Sequence, residues 1–258
     1  MTPNFTKICR YLTGSGNVVV GDNAFYSSGA RQYNTVLGSS AMYDATTASS
    51  NVSIGYQSLA NLTTGDSNTV IGYQAGDAMT ATANTVLIGQ SAGTDINSTS
   101  ANGTVAIGYQ AGTSHTTPAW SIYIGYQAGQ SVTTGAQNVL IGAEAGHTIV
   151  TGERNVAVGA AALQKGLGSE NVAIGDNAGA HATGSQSVYI GRKAGLGGQQ
   201  TAPFSSGEKN IGIGYATLED FTTGHTNIAI GYQAMSEATT THDSIAIGYQ
   251  ALQYGGQD

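Results

Sequence analysis

Charge is scarce in this chain of 258 residues, since only 9% of its side chains are Asp, Glu, Lys or Arg. The segment 96–143 contains none of them. The formal net charge of −7 excludes the basic surface that nucleic-acid binding requires. Disorder is excluded as well, because disordered chains are rich in charge and poor in β-branched residues. The composition instead favours stacked strands, in which like charges would lie one above another.

Cysteine, proline and long apolar runs are also nearly absent. The single cysteine, Cys9, excludes an internal disulfide framework. Three prolines and no triplet glycine period exclude a collagen-like rod. No apolar run approaches the roughly 18 residues that cross a membrane, so we expect no membrane insertion. The first ten residues lack an apolar segment, which predicts that the chain has no signal peptide.

Glycine is abundant, with 38 residues, and fourteen of them recur at a nearly constant interval. Nine of the thirteen intervals are 17 residues, and the others are 19, 16, 16 and 23. A fixed period of this length predicts an all-β parallel β-solenoid of about fourteen coils. These glycines define position 0 of each coil: Gly21, Gly38, Gly55, Gly72, Gly89, Gly108, Gly125, Gly142, Gly159, Gly175, Gly191, Gly214, Gly231 and Gly248.

The residues before each of these glycines read as a short strand. Position −1 is Val, Ile or Leu in all fourteen coils, and position −3 is Val or Ile in twelve. Two apolar positions separated by one residue predict one buried strand face, so we expect positions −1 and −3 to fill the coil. Asn occupies position −4 in nine coils, which predicts a hydrogen-bonded amide ladder. Ala at position +3 predicts a tight corner.

Position −2, on the other strand face, is uncharged in every coil. A solvated face would be polar here, and a stripe of fourteen rungs at about 4.8 Å would be roughly 60–65 Å long. Such a stripe exceeds the apolar patch that a soluble monomer exposes, so we predict a homo-oligomer packed along this face. The predicted interface residues are Val36, Val70, Leu87, Ala106, Tyr123, Leu140, Ala157, Ala173, Tyr189, Ala229 and Ala246.

Three other recurrent features each allow two interpretations. Tyr-Gln follows the glycine in six coils, as at 56–57, and predicts either structural ladders or an aromatic platform for sugars. Adjacent threonines, as at 63–64, raise ice binding, although neighbouring strand residues point to opposite faces. His225 and His242 occupy equivalent positions, but a metal site needs more ligands than these two. We expect no metal, no cofactor and no catalytic residues, because no nucleophile, acid–base or phosphate-binding pattern is present.

The solenoid is predicted over 17–252, with an N-terminal attachment arm or cap at 1–16 and a short tail at 253–258. The arm carries the candidate attachment residues Phe5, Lys7, Ile8, Arg10 and Tyr11. Extra residues in the two long intervals predict projecting loops, since insertions in solenoids lie on one side and often bind partners. The candidate loop residues are Asp95, Asn97, Asn102, Gln199, Gln200, Pro203 and Phe204.

The recurring Asn-Val-Ala-Ile-Gly-Tyr-Gln-Ala-Gly pattern, as in 68–76 and 227–234, resembles two groups of proteins. One is the left-handed β-roll heads of bacterial trimeric autotransporter adhesins, whose coils are near 14 residues. The other is the repeat of bacteriophage tail-fibre and head-decoration proteins. The resemblance covers about 17–252 and implies a left-handed homotrimer. It implies a virion protein that joins a capsid or tail protein at one end and meets a host glycan or receptor. The alternatives are a cell-surface adhesin head and an ice-binding solenoid.

Overall fold

The chain is an all-β parallel β-solenoid with a period of about 17 residues. This computed structural model describes residues 14–27, 29–97, 101–116, 120–198 and 205–254, and no α-helix occurs within those ranges. The chain divides into two compact units, Met1–Ile124 and Gly125–Asp258. The predicted fold class and period are confirmed.

Unit 1 contributes seven strands of three residues, each ending directly before a position-0 glycine. They are β1 Val18–Val20, β2 Thr35–Leu37, β3 Val52–Ile54, β4 Thr69–Ile71, β5 Val86–Ile88, β6 Val105–Ile107 and β7 Ile122–Ile124. Each strand pairs in parallel with the next, position for position. The register is unchanged across the 19-residue interval, where Val86 pairs with Val105. Coils are numbered below by their strands.

Unit 2 has the same construction. Its strands are β8 Val139–Ile141, β9 Val156–Val158, β10 Val172–Ile174, β11 Val188–Ile190, β12 Ile211–Ile213, β13 Ile228–Ile230 and β14 Ile245–Ile247. They too pair in parallel and in register. Val188 pairs with Ile211 across the 23-residue interval, so the extra residues lie outside the strand, as the spacing predicts.

The strand faces are the reverse of the prediction. The middle residue of every strand, at position −2, points into the coil, while positions −3 and −1 are half-buried or exposed. The predicted interface residues therefore belong to the core of their own unit and are 0–3% exposed: Val36, Val70, Leu87, Ala106, Tyr123, Leu140, Ala157, Ala173, Tyr189, Ala229 and Ala246. Alternation places position −2 on the same face as position −4, whose asparagines are buried inside the coil.

The interior is filled by size complementarity between positions −2 and +4. Leu140 is accompanied by Gly146, and a Cβ added to that glycine would lie 2.6 Å from Leu140 Cδ1. In the next coil, Ala157 is accompanied by a buried Leu163. Tyr189 is accompanied by Gly195, where an added Cβ would lie 2.0 Å from Tyr189 Cδ1. In these coils the residue at position +4 complements the size of the side chain at position −2, since interiors are close-packed. Ala106 and Ala173 are instead followed by glycines, and the space beside those glycines is filled by Tyr123 and Tyr189 of the next coil.

The predicted asparagine ladder is present and buried. Asn34 Oδ1 accepts the backbone N–H of Asn51 at 2.9 Å, and Asn51 Oδ1 accepts that of Asn68 at 2.9 Å. Asn34 Nδ2 donates to the carbonyl of Ala48 at 3.0 Å. Both bonds reach the start of the following strand, so each asparagine holds two successive coils together. The same pattern recurs in unit 2, where Asn155 N–H donates to Asn138 Oδ1 at 2.9 Å.

Candidate functional surface

The outward strand face is a continuous column of apolar side chains in the described part of each unit. We call positions −3 and −1 of the fourteen strands the aliphatic face. All but two of its residues are Val, Ile or Leu. In unit 1 it is half-buried from β3 to β7, whereas in unit 2 position −1 is exposed in β10, β11 and β12. Val18, Leu37, Ile245 and Ile247 are 60%, 47%, 70% and 67% exposed. Seven rungs at about 4.8 Å make this face roughly 30 Å long in each unit.

Two columns of residues flank the aliphatic face, one at position −5 and the other at position +1 of each coil. We call them the −5 margin and the +1 margin. Tyrosines on the +1 margin stack on one another, with ring centroids 5.4 Å apart for Tyr56 and Tyr73. Tyr232 stacks on Tyr215 at 5.2 Å and on Tyr249 at 5.3 Å. Both faces of Tyr232 are covered by neighbouring rings, and each of its stacking partners has one face covered. The ladder interpretation of Tyr-Gln is confirmed, and Gln74 Nε2 donates to Gln57 Oε1 at 3.0 Å beside it.

The −5 margin carries two exposed aromatic residues, and each lies over a glycine of the preceding coil. An added Cβ on Gly103 would lie 3.1 Å from the ring of Trp120, and one on Gly16 would lie 2.7 Å from the ring of Tyr33. Trp120 and Tyr33 are 70% and 65% exposed. The sequence pattern did not single out these residues, although each follows a position −5 glycine by one period.

The two units differ in the number of charged residues on and beside the aliphatic face. In unit 1, Asp22 is the one charged residue at positions −5 to +2 of the described coils. In unit 2 the margins carry ion pairs between successive coils: Arg154 lies 3.2 Å from Glu170, and Arg192 lies 3.3 Å from Asp176. These pairs are exposed and therefore contribute little stability. Unit 1 thus presents the less charged face.

The threonine pairs bond within the solenoid rather than forming a free hydroxyl array. The first threonine of four of the pairs donates its hydroxyl to the carbonyl one coil along, as Thr46 does to Thr63 at 3.0 Å and Thr63 to Thr80 at 2.8 Å. Thr222 donates to Thr239 at 2.9 Å in unit 2. A donor held in this way is not available to an ice lattice, which weakens the ice-binding alternative.

The one fully buried histidine among the described residues, His115, lies inside unit 1. Thr104 Oγ1 donates to the carbonyl of Ala101 at 2.8 Å, so it accepts the Nε2–H of His115 at 3.2 Å. Nδ1 then accepts the hydroxyl of Tyr123 at 2.8 Å. Burial raises the pKa of Tyr123 far above its usual value. This cluster lies in the closed core, out of reach of a substrate, and completes the packing.

Tyr189 and Arg31 are also fully buried, whereas the paired histidines and the lysine described next lie on the surface or are half-buried. The rings of His225 and His242 stack with centroids 4.0 Å apart, and His242 Nδ1 accepts the backbone N–H of His225 at 3.2 Å. Within the described residues, no three His, Cys, Asp or Glu side chains come together as metal ligands would. A hydrogen bond from Lys193 to Glu219 at 2.9 Å raises the pKa of that lysine and joins two coils of unit 2.

The predicted attachment and loop residues are only partly within the described ranges. Asp95 and Asn97 are exposed, in agreement with a projecting loop. Asn102 is half-buried, and its Oδ1 accepts the backbone N–H of Ala83 at 2.8 Å, so it supports the coil instead. The other candidates lie outside the described residues: Phe5, Lys7, Ile8, Arg10, Tyr11, Gln199, Gln200, Pro203 and Phe204.

No family model, curated protein or solved structure matches this chain. The described part of the chain also contains no helix with the length and apolar character needed to cross a bilayer. The aliphatic face and its margins are therefore the candidate functional surface of this chain.

Proposed function

We propose that this chain is a non-enzymatic structural protein that assembles as a homotrimer through its aliphatic face. A contiguous outward stripe of Val, Ile and Leu carries the proposal, because monomers rarely expose apolar patches of more than a few hundred Å². In unit 2 the −5 margin is polar or charged in every coil, as expected for the rim of an interface whose core is the aliphatic face.

A second copy of the chain is the partner that fits best. The face repeats at one rung per coil, and a surface that matches it along its length must repeat at the same spacing. Another copy supplies that spacing in each unit. The number three, and the left-handed coil, come from the resemblance to trimeric adhesin heads and phage fibre repeats.

The setting we propose is a bacteriophage particle, in which the trimer serves as a fibre or a head-decoration protein. It would join a capsid or tail protein and either contact a host surface glycan or receptor or stabilise the particle. The long period and the closed core, filled by the chain's own side chains, support a mechanical role. Immunogold labelling of particles separates the two locations: labelling over the whole head excludes a fibre, and labelling confined to the tail excludes decoration.

Mass in solution tests the assembly. We expect analytical ultracentrifugation to give about three times the chain mass of 26.1 kDa. The variant Ile71→Arg, on the aliphatic face, should lower that mass while its circular dichroism stays unchanged. The matched control is Thr64→Arg, which places the same charge on an exposed corner of a neighbouring coil. A folded monomer for the unmodified chain, or trimers that survive Ile71→Arg, would overturn the proposal.

A further inference from the structure

The two margins of unit 1 are complementary in size, coil by coil. In four of its coils one margin carries an aromatic residue and the other carries serine or glycine. The four coils concerned pair Tyr33 with Ser39, Ser50 with Tyr56, Ser67 with Tyr73, and Gly103 with Tyr109. In the fifth coil, Asn84 is matched by Gln90, two side chains able to hydrogen-bond each other.

Contacts within one chain do not account for this relationship. A three-residue strand separates the margins, as Val52–Ile54 separates Ser50 from Tyr56, and it spans about 10 Å. Trp120 lying over Gly103 explains that glycine. Ser50 and Ser67 are exposed and lie under no aromatic ring in the described contacts, so their small size needs another cause.

Exposure leaves room for a second chain at these positions. Tyr56, Tyr73 and Tyr109 are 45%, 49% and 40% exposed although each lies beside a neighbouring coil. Their ring edges therefore project beside the aliphatic face. No charge other than Asp22 interrupts this part of the surface.

We propose that in the trimer the +1 margin of one copy packs against the −5 margin of the next copy in the same coil. Tyr33, Tyr56 and Tyr73 then each fill the space left by a serine on the neighbouring copy. This inference rests on the proposed trimer. It adds the register of the copies, which run parallel with equivalent coils at the same height along the trimer axis. A cyclic arrangement requires such a heterologous contact, because each copy offers one margin to the copy before it and the other to the copy after it.

Unit 2 follows the pattern in part. Ala143 and Ala160 lie opposite Gln137 and Arg154, but Lys209 and Tyr215 are both long. Coil 7 departs from the pattern, with Trp120 and Tyr126 on its two margins. The inference is therefore made for coils 2 to 6 of unit 1.

Paired cysteines test the register. In a Cys9→Ser background, the double variant Ser50→Cys with Tyr56→Cys places thiols on both margins of one coil. The two thiols cannot join within a chain, since a disulfide needs Cα atoms within about 7 Å. Mild oxidation should give covalent dimers and trimers on non-reducing gels. Ser67→Cys with Tyr73→Cys should behave in the same way one coil along.

The matched controls shift one thiol by a coil in each direction. Ser50→Cys with Tyr73→Cys and Ser67→Cys with Tyr56→Cys should give at least fivefold less covalent trimer. A trimeric mass with equal or greater cross-linking in either shifted pair, or with none in any pair, would overturn the register and leave the proposed function standing. A monomeric mass for the unmodified chain would overturn the proposed function itself.

Discussion

Asn51 Oδ1 accepts the backbone N–H of Asn68 at 2.9 Å, and Asn51 Nδ2 donates to the carbonyl of Gly65 at 3.0 Å. One buried side chain thus satisfies a donor and an acceptor of the following coil. The same side chain also contacts Asn34 Oδ1, at 3.2 Å. The asparagine column is therefore the polar framework that joins one coil to the next.

Asn51→Ala should destabilise unit 1 strongly, because it leaves a buried N–H and a buried carbonyl without a side-chain partner. We expect the free energy of unfolding to fall by about 2–5 kcal/mol, measured by urea denaturation. Asn51→Ser should cost roughly half as much, since Ser187 shows that a serine at this position can accept the next N–H, from Asn210 at 3.1 Å. Equal losses for the two variants would contradict a hydrogen-bonding role.

Two features favour glycine at position 0. One is the positive φ angle, and the other is the close approach of the backbone of the next coil. Gly231 and Gly248 have nearly equal φ values of 131° and 129°, but their surroundings differ. A Cβ on Gly231 would lie 2.4 Å from the carbonyl oxygen of Gly248, whereas one on Gly248 would meet nothing within 4 Å. Backbone strain alone costs about 1–3 kcal/mol.

Gly248→Ala should therefore lower the stability of unit 2 by roughly that amount, while Gly231→Ala should do so by several kcal/mol more or prevent folding. Thermal unfolding followed by circular dichroism compares the two variants directly. Similar midpoints would show that the conformation alone selects glycine at this position.

The period, the strand positions and the asparagine ladder could be predicted from sequence because each repeats at a fixed distance from glycine. The direction of the strand faces could not be predicted from hydrophobicity, since positions −3, −2 and −1 are all uncharged. Burial of β-branched residues is the usual rule, and it favours the wrong face here. A different signal was present: position −2 varies from Gly212 to Tyr189, and in most coils a large residue there is accompanied by glycine at position +4 and a small one by a bulky residue.

That covariation is typical of an interior in which total volume is conserved. The aliphatic face has no such constraint, and it is uniform. The margins escaped prediction for another reason: their residues are unremarkable one coil at a time, and they become informative only when the structure shows that both flank the same outward face.

The volume rule predicts a rescue in coil 8. Leu140→Ala alone should cost about 2–5 kcal/mol by leaving a cavity. Gly146→Leu alone should also destabilise, because its side chain would overlap Leu140. The double variant reproduces the Ala157 and Leu163 arrangement of the next coil.

We expect the double variant to be at least about 2 kcal/mol more stable than the sum of the two single effects. Leucine tolerates this backbone, as φ at Leu163 is 48° and at Gly146 is 59°. A double-mutant cycle by chemical denaturation measures the coupling. Additive losses would mean that positions −2 and +4 do not share one packing volume.

Tyr189 gives unit 2 a dependence on alkaline pH. Its hydroxyl is fully buried and has no hydrogen-bond partner among the described residues. Burial raises the pKa of Tyr189 to about 12 from 10.0, while Ser187 and Asn210 oppose the shift. Because the folded pKa is raised, both states hold the proton below pH 10 and the stabilisation is complete there. As pH rises from 10 towards 12, the unfolded phenol ionises first and stability falls.

The loss should approach about 3 kcal/mol near pH 12, since each pKa unit corresponds to about 1.4 kcal/mol. Tyr189→Phe removes the ionisable hydroxyl and should be nearly neutral at pH 7, because no hydrogen bond in the described structure is lost. Guanidinium unfolding at pH 9 and at pH 11.5 compares the two proteins, and subtracting the variant removes the contribution of the other tyrosines. If Tyr189→Phe loses as much stability between these pH values as the unmodified chain does, the buried phenol is not the group responsible.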